Sequence, residues 1–367
     1  MSKEDFTRVG YLYFLNKIYI IFLIWLTRDV LNAFLPANSD GLHPNVIFDS
    51  LLHWDAGWFL RIAGQGYDFD SAPFFPMLPF LIRLLTYVVG NGIIAGFLIT
   101  NIALFIACYF LYIIAKEDFD QKTAAMTVFI MLFFPTAIFF TSIYSESLFL
   151  AFALASFYFA RRGRWPWAVL LGSCAALSRN IGIVLFFVFL YMQYHENNKR
   201  IILKKTIPLL LIPASLSIFM LVLWKYAGDP LAFSHSLNTE FWGYRHFAYP
   251  GAGQFLNLNI FFSDSNFYNL FESGMAFLFL YLIIKSFKYL EDKPQLIFLT
   301  LGFLIPFSSV VDNLPLGMPR YILVLFPGYI ALARLLCKNG LTHVYSVISI
   351  LVFSAVGILF AAGHWIS

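Results

Sequence analysis

The residues best suited to chemistry are concentrated between positions 53 and 67, in the sequence HWDAGWFLRIAGQGY. Asp55 offers a carboxylate that can accept a proton, and it lies between His53 and the indole of Trp58. Carboxylates and imidazoles are common proton acceptors in enzymes. The segment is polar, yet it follows the first long apolar run of the chain. We therefore expect it to lie beside a membrane and to handle a polar substrate.

The composition places most of this chain in a lipid bilayer. Of its 367 residues, 60% are hydrophobic and 12% are charged, and the mean hydropathy is +0.76. A soluble chain carries about 25% charged residues, and a spanning helix needs roughly 20 apolar ones. The apolar runs are long and do not alternate. They predict an all-α, polytopic integral membrane protein and argue against a transmembrane barrel.

Charge and cysteine content make two further classes of protein improbable. The net charge of +4 is small and indicates basic cytoplasmic loops instead of a nucleic-acid-binding surface. The cysteines, Cys108, Cys174 and Cys337, lie in apolar runs without the spacing of metal ligands. We predict neither a disulfide framework nor a zinc site, and no cofactor is required by the sequence.

Basic residues between the apolar segments predict the topology. Lysine and arginine form six clusters, and the positive-inside rule places all six in the cytoplasm only if two segments do not cross. Segment 74–89 begins with two prolines and contains Arg83, which favours a juxtamembrane helix on the outer side. Segment 166–194 is interrupted at 178–180, which favours a broken, re-entrant helix pair. The other apolar segments are 11–35, 92–115, 123–142, 145–160, 206–226, 266–286, 295–312, 319–336 and 342–364.

The predicted protein is one transmembrane domain over residues 1–367, with about nine full crossings. Its N-terminus lies inside and its C-terminus outside. The first outer loop spans about 36–73, and a second large outer loop spans about 227–265. No internal repeat is visible in the sequence.

Several ionisable residues fall in apolar segments, where charge is costly and indicates function. In the predicted topology, a group of them reaches the outer half of the bilayer together with residues of the first outer loop. This group predicts an outward-facing polar cavity under an aromatic loop. Its members are Asp55, Arg61, Glu146, Arg179, Asp312 and Arg320.

Residues of the first outer loop also have purely structural interpretations. Asp55 could cap the helix that follows it, and Trp54 and Trp58 could anchor the chain at the membrane interface. The pattern Asp68-Phe69-Asp70 is of the kind that can hold the metal of a nucleotide sugar, although so short a match arises often by chance.

The charges in the membrane segments have structural alternatives as well. Glu146 could cap the helix that starts near it, and Arg320 could pair with Asp312 across a short turn. Lys17 is expected to extend its ammonium toward the end of its helix, so it receives no functional role.

Short motifs in the same order resemble the PIG-V family, the membrane mannosyltransferases that add the second mannose in GPI-anchor assembly, and their bacterial relatives. The resemblance covers about residues 20–335. Ser178 stands where threonine is usual, and the long insertions of eukaryotic members are missing, which favours a prokaryotic member. The motifs are HWDA at 53–56 with IA at 62–63 and GY at 66–67, FFPMLP at 74–79, FP at 134–135 with YSESLF at 144–149, ALSRNIG at 176–182, GDPLAF at 228–233 and MPRY at 318–321.

This resemblance implies a GT-C glycosyltransferase fold and an inverting, α-1,6-type transfer on the outer or lumenal face. The donor would be a polyprenyl (dolichyl-type) phosphate mannose, and the acceptor a glycolipid or lipid-linked glycan. Asp55 matches the catalytic acid of the first outer loop and would act as general base. Arg320 is the first choice for binding the donor phosphate, followed by Arg179 and Arg61, with His53 assisting.

The remaining site residues are expected to bind sugar. Glu146 would hold a sugar hydroxyl or orient a cation, while Trp54, Trp58 and Tyr67 would stack on sugar rings. A bacterial cytoplasmic membrane is the expected location, or the endoplasmic reticulum for a eukaryotic chain. Two alternatives stay open, namely a GT-C enzyme with another polyprenyl-phosphate sugar and, less favoured, a lipid or sugar transporter or flippase.

Overall fold

The computed structural model describes residues 3–31, 47–264 and 267–366, and the described chain is nearly all helical. Residues 36–46 of the predicted first outer loop lie outside these ranges. The helices are α1 (Lys3–Trp25), α2 (Asp55–Gln65), α3 (Met77–Val89), α4 (Gly92–Asp118), α5 (Gln121–Leu132), α6 (Ser145–Arg161), α7 (Trp165–Ser178), α8 (Val184–Glu196), α9 (Leu203–Thr206), α10 (Leu211–Ala227), α11 (Ala232–His235), α12 (Ala252–Asp264), α13 (Phe267–Tyr289), α14 (Lys293–Phe307), α15 (Met318–Tyr321), α16 (Phe326–Asn339) and α17 (Thr342–Ala361).

Within the described residues, five helical stretches are long and apolar enough to cross a membrane. A sixth is formed if α15, its 3-10 extension and α16, which are bent by 84°, count as one span. This confirms an all-α, polytopic membrane architecture. The five stretches are Lys3–Leu31, Gly92–Asp118, Leu203–Ala227, Phe267–Tyr289 and Thr342–Ala361.

Three predicted crossings contain helices shorter than the roughly 20 residues that span a membrane. The segment 123–142 is divided into α5, of 12 residues, and a 3-10 turn at Ala137–Phe140, with Pro135 between them. Helices α6 and α14 have 17 and 15 residues. Nine crossings therefore stay a prediction, whereas α3, with 13 residues, is as short as its juxtamembrane interpretation requires.

Ion pairs gather at one end of the helix bundle. Lys116, near the end of α4, lies 2.8 Å from Asp5 of α1. Arg161, at the end of α6, lies 2.7 Å from Asp118 and 2.5 Å from Asp292. These contacts bring together the ends of α1, α4, α6 and α14, and with them four of the six basic clusters. From the positive-inside rule we expect this end to face the cytoplasm.

The predicted break between α7 and α8 is present, and it lies at the opposite end of the bundle. α7 ends at Ser178, and Arg179 is extended, with φ −157° and ψ 146°. A 3-10 turn at Asn180–Ile183 then leads into α8. The fold-back is tight at Gly182, where an added Cβ would lie 2.4 Å from the backbone nitrogen of Ala176. Only glycine fits this approach without a shift of the backbone.

The segment predicted as the second large outer loop contains regular structure that the sequence did not predict. Helix α12 follows a two-residue strand, β1 (His246–Phe247), which pairs antiparallel with β2 (Ser309–Val310) after α14. This pairing fixes the chain before α12 against the turn that precedes α15.

The expectation that Lys17 reaches the end of its helix is wrong. Lys17 lies near the middle of the stretch Lys3–Leu31, and its Nζ donates to the hydroxyl of Thr141 at 2.6 Å. The ammonium therefore points into the bundle.

Candidate active site

Asp55 is the first residue of α2, and the residue before it holds an unusual backbone. Trp54 has φ 48° and ψ −110°, a region in which L-residues other than glycine are strained. Its indole contacts the rings of Phe360 and Trp365, with centroids 5.2 Å apart in both pairs. This aromatic packing ties the start of α2 to the end of α17. Trp54 is the cap residue and makes no side-chain capping bond, so the capping role considered for Asp55 is not observed.

Arg320 joins two carboxylates. Its Nη1 lies 2.5 Å from Oδ2 of Asp55, and its Nε donates to Oε1 of Glu146 at 2.5 Å. The guanidinium also lies over the ring of Tyr144, 4.5 Å from the centroid. The alternative pairing of Arg320 with Asp312 is therefore wrong. The two acids that Arg320 contacts are Asp55 of α2 and Glu146 of α6.

Glu146 is fully buried at the start of α6 and receives a second guanidinium. Nη1 of Arg179 lies 2.6 Å from the same Oε1 and donates to the hydroxyl of Ser145 at 3.1 Å. Two cations on one oxygen compensate the cost of burying this carboxylate. Asp55, Glu146, Arg179 and Arg320, which we call the ion network, contain two negative and two positive charges and are neutral together.

Three members of the ion network lie at or beside interruptions of regular helix. Asp55 follows the strained Trp54, Arg179 lies in the extended break after α7, and Arg320 lies in the short helix α15. Hydrogen bonds hold α15 in place. The hydroxyl of Thr136 donates to the carbonyl of Pro319 at 2.8 Å.

Arg61 and the pattern at 68–70 form a separate turn. Arg61 pairs with Asp68 and not with the ion network. The backbone nitrogen of Ser71 donates to Asp68 Oδ1 at 2.9 Å. Burial raises the pKa of Asp68, but these hydrogen bonds and the charge of Arg61 outweigh it, so the pKa is lowered. The turn thus contributes stability above the usual pKa of about 3.9 that is lost as the pH falls through the lowered value.

A metal role for this pattern receives no support. Asp68 is already engaged by Arg61 and Ser71. Nowhere in residues 3–31, 47–264 and 267–366 are three His, Cys, Asp or Glu side chains arranged to hold a metal ion.

The aromatic residues of the loop pack mainly on protein. Trp58 stacks on Phe74, with centroids 5.6 Å apart and planes at 17°. The hydroxyl of Tyr67 donates to the carbonyl of Phe74 at 2.7 Å. The carbonyl of His53 accepts from Tyr144 at 3.0 Å. These contacts pack the side chains of the loop against protein. The sugar-binding roles of the loop aromatics stay predictions.

Two residues beside the ion network were missed in the sequence. Glu272 is fully buried in α13 and accepts a hydrogen bond from the backbone nitrogen of Met318 at 2.6 Å. It lies in the apolar segment 266–286, so the criterion of charge at membrane depth would have found it. Arg245 donates to the hydroxyl of Tyr321 at 2.6 Å. No sequence signal separates it from other polar residues of its loop.

Together, the helices and the ion network define a polytopic membrane protein with two carboxylates and two guanidiniums assembled at one end of its bundle. The chain belongs to the mannosyltransferase (PIG-V) family, whose sequence profile matches residues 30–310. It is 33% identical over 165 residues to GPI mannosyltransferase 2 of Schizosaccharomyces pombe. That match covers 42% of this chain and 35% of the yeast protein, so it spans about a third of that relative.

Solved structures of similar shape include oligosaccharyltransferases of Archaeoglobus fulgidus. One is in complex with an inhibitory peptide and a dolichol-phosphate, and it is 13% identical, with a TM-score of 0.49 over 97% of this chain and 56% of that chain. Another, in complex with zinc and sulfate, is 11% identical, with a TM-score of 0.46 over 95% and 53% of the two chains. At these scores the similarity is too weak to transfer any property.

Proposed function

We propose that this protein is a GT-C glycosyltransferase that moves mannose from a polyprenyl-phosphate mannose to a hydroxyl of a glycolipid or lipid-linked glycan. Family membership supports the mannosyl group, and the apolar helices suit substrates held in the bilayer. The observation that carries the proposal is the ion network, in which Arg320 contacts the carboxylate of Asp55 at 2.5 Å.

In the proposed reaction, the acceptor oxygen attacks C1 of the mannosyl group as Asp55 takes the hydroxyl proton. The bond between C1 and the phosphate oxygen breaks, its electron pair stays on the phosphate, and polyprenyl phosphate leaves. One displacement of this kind inverts a β-linked donor to an α-mannoside. A positioned base contributes typically 10²–10⁴-fold to the rate.

The contact between Asp55 and Arg320 suits this exchange of charge. Asp55 loses its negative charge when it accepts the proton, while the leaving phosphate gains one. Arg320 can therefore exchange the carboxylate for the phosphate as its ion-pair partner with little movement. A guanidinium can bind either anion through two hydrogen bonds. A phosphate that enters beside Arg320 also competes for it, which frees Asp55 to act as a base.

Glu146 receives a different role from the one expected for sugar binding. Its Oε1 accepts both Arg320 and Arg179, so we assign it the positioning of two cations. His53, Trp54, Trp58, Arg61 and Tyr67 stay candidates for shaping the acceptor side of the site.

The site is proposed to face away from the cytoplasm. Arg161 at the other end of α6 lies in the basic end of the bundle, and 17 residues of helix separate the two ends by about 25 Å. The site would face the periplasm or exterior in a prokaryote, which we favour, and the lumen of the endoplasmic reticulum in a eukaryote.

The direct test is mannosyl transfer in membranes that contain this protein. Radiolabelled polyprenyl-phosphate mannose should label a lipid-extractable product, and GDP-mannose should not do so once synthesis of the polyprenyl donor is blocked. Polyprenyl-phosphate glucose provides the comparison for donor sugar. Preferred use of glucose would favour the alternative GT-C activity, and transport of lipid without transfer would contradict the enzyme. Methylation analysis of the product tests the proposed α-1,6 linkage.

A further inference from the structure

Arg245 brings a third guanidinium to the site from the second large outer segment. Its Nη1 donates to the hydroxyl of Tyr321 at 2.6 Å, and Tyr321 is the residue after Arg320. The guanidinium of Arg179 lies 5.8 Å from the centroid of the Tyr321 ring, and that of Arg245 lies at the same distance. The phenol of Tyr321 is thus placed between the ion network and Arg245.

The backbone around Arg245 is held on both sides. Its nitrogen donates to the carbonyl of Leu237 at 2.8 Å, and His246, the next residue, pairs with Val310 in the short sheet. The position of this cation is therefore set by the tertiary structure and not by a flexible loop tip.

Charge accounting separates Arg245 from the other two arginines. Arg179 and Arg320 are matched by Glu146 and Asp55, so the ion network is neutral. In the part of the chain that the structure describes, Arg245 forms no ion pair with a carboxylate, and its buried Nε has no hydrogen-bond partner. The buried carboxylate of Glu272 acts on Arg245 only at longer range. Arg245 thus adds a cation with no directly paired carboxylate, and an unused donor, beside the site.

A phosphate-linked donor needs this charge. A polyprenyl-phosphate sugar is a phosphodiester with one negative charge, and binding it at a neutral, poorly hydrated site would leave that charge uncompensated, at a large cost. One additional cation restores neutrality. Guanidinium is suited to the task because its planar set of donors matches phosphate oxygens.

We infer that Arg245 binds the phosphate of the lipid-linked donor, with Tyr321 as its positioning residue. The inference rests on the proposed function and adds the residue that supplies the net charge. The oxygen of Tyr321 accepts from Arg245, and its hydroxyl can donate to the same phosphate. Arg320 then serves the reacting end of the donor, and Arg245 the lipid-bearing end.

The probe is polyprenyl phosphate, the product without sugar, titrated against purified protein in nanodiscs, with polyprenol as the ligand without phosphate. We expect Arg245→Gln to weaken binding of polyprenyl phosphate on the order of 10- to 100-fold. Polyprenol binding should not change. Arg245→Lys should lose less, and Tyr321→Phe should give a smaller loss than Arg245→Gln. The matched control is Arg83→Gln, which removes an exposed cation of α3.

The outcomes separate this inference from the proposed function. Transfer assays should show a raised KM for the donor in Arg245→Gln and an unchanged KM for the acceptor. Equal binding of polyprenyl phosphate by wild type and Arg245→Gln, or none by wild type, would overturn the inference. If wild type binds the probe but transfers no mannose, the proposed function fails while the Arg245 comparison still stands. If Arg245→Gln does not fold, Tyr321→Phe is the test variant. Binding of polyprenyl phosphate at the wild-type affinity by Tyr321→Phe would then contradict the inference.

Discussion

Nη1 of Arg320 lies 2.5 Å from Oδ2 of Asp55, although the two residues come from the last and first thirds of the chain. Asp55 is placed by the strained turn at the start of α2, and Arg320 by the short helix α15. Their contact makes the proposed base and a proposed phosphate ligand one unit, so the chemistry depends on the packing of both elements.

Replacement of Asp55 tests the proposed base. Asp55→Asn removes the ability to accept a proton while it preserves size, and we expect mannosyl transfer to fall by about 10²–10⁴-fold. Donor binding should persist, because Arg320 no longer has a charged competitor. Asp70→Asn, an exposed acid of the same loop, is the control. Transfer near the wild-type rate in Asp55→Asn would remove the base from the mechanism.

Glu146 should be required for stability as well as activity. Glu146→Gln leaves Arg179 and Arg320 beside a neutral amide, and breaking a buried ion pair in this way costs about 3–5 kcal/mol. The double variant Glu146→Gln with Arg179→Gln should cost less than the sum of the single variants. Denaturant unfolding in detergent measures the coupling. Additive losses would show that the two residues do not interact.

Trp54 is predicted to position Asp55. Trp54→Ala removes the contacts with Phe360 and Trp365, and we expect kcat to fall by about 10- to 100-fold with little change in the KM of the donor. Trp54→Gly should unfold less easily than Trp54→Ala by about 1 kcal/mol, because glycine accepts the positive φ. Trp167→Ala, which removes an exposed ring of α7, is the control. A donor KM that rises strongly would instead indicate direct contact with substrate.

Gly182 should tolerate no side chain. A Cβ there would meet the backbone of Ala176 at 2.4 Å, so Gly182→Ala must open the fold-back after α7 and displace Arg179. We expect a loss of about 1–3 kcal/mol in unfolding free energy together with reduced transfer. Gly274→Ala has open space around the new methyl and should be neutral or slightly stabilising. Similar behaviour of the two variants would contradict the tight fold-back.

Labelling of introduced cysteines with a membrane-impermeant maleimide determines which side of the membrane the site faces. In a background without the three native cysteines, Asp70→Cys should react in intact cells. Lys199→Cys, in a basic cluster, should react only after the membrane is opened. The reverse pattern would place the ion network on the cytoplasmic side.

Some local features follow from the order of residues because their cause is local. Pro76 precedes Met77, Pro79 lies in the first turn of α3, and the polar residues at 178–180 lie at the end of α7. In contrast, α5 ends after 12 residues inside a longer apolar run. Hydropathy indicates which residues are buried. It does not indicate where a helix ends when the segment is surrounded by protein and not by lipid.

The sequence by itself determined that the protein lies in a bilayer, that it is helical, and which charges are too costly there to be accidental. Glu146, Arg179 and Arg320 were found in this way, because the desolvation of a charge does not depend on its partner, and Asp55 was found from the polar, aromatic segment that contains it. Only the tertiary structure decided that Arg320 contacts Asp55 and not Asp312, and that Arg61 stays with Asp68. An ion pair depends on a few ångströms between distant segments, and those distances are set by helix packing and by the turns at Trp54 and Gly182.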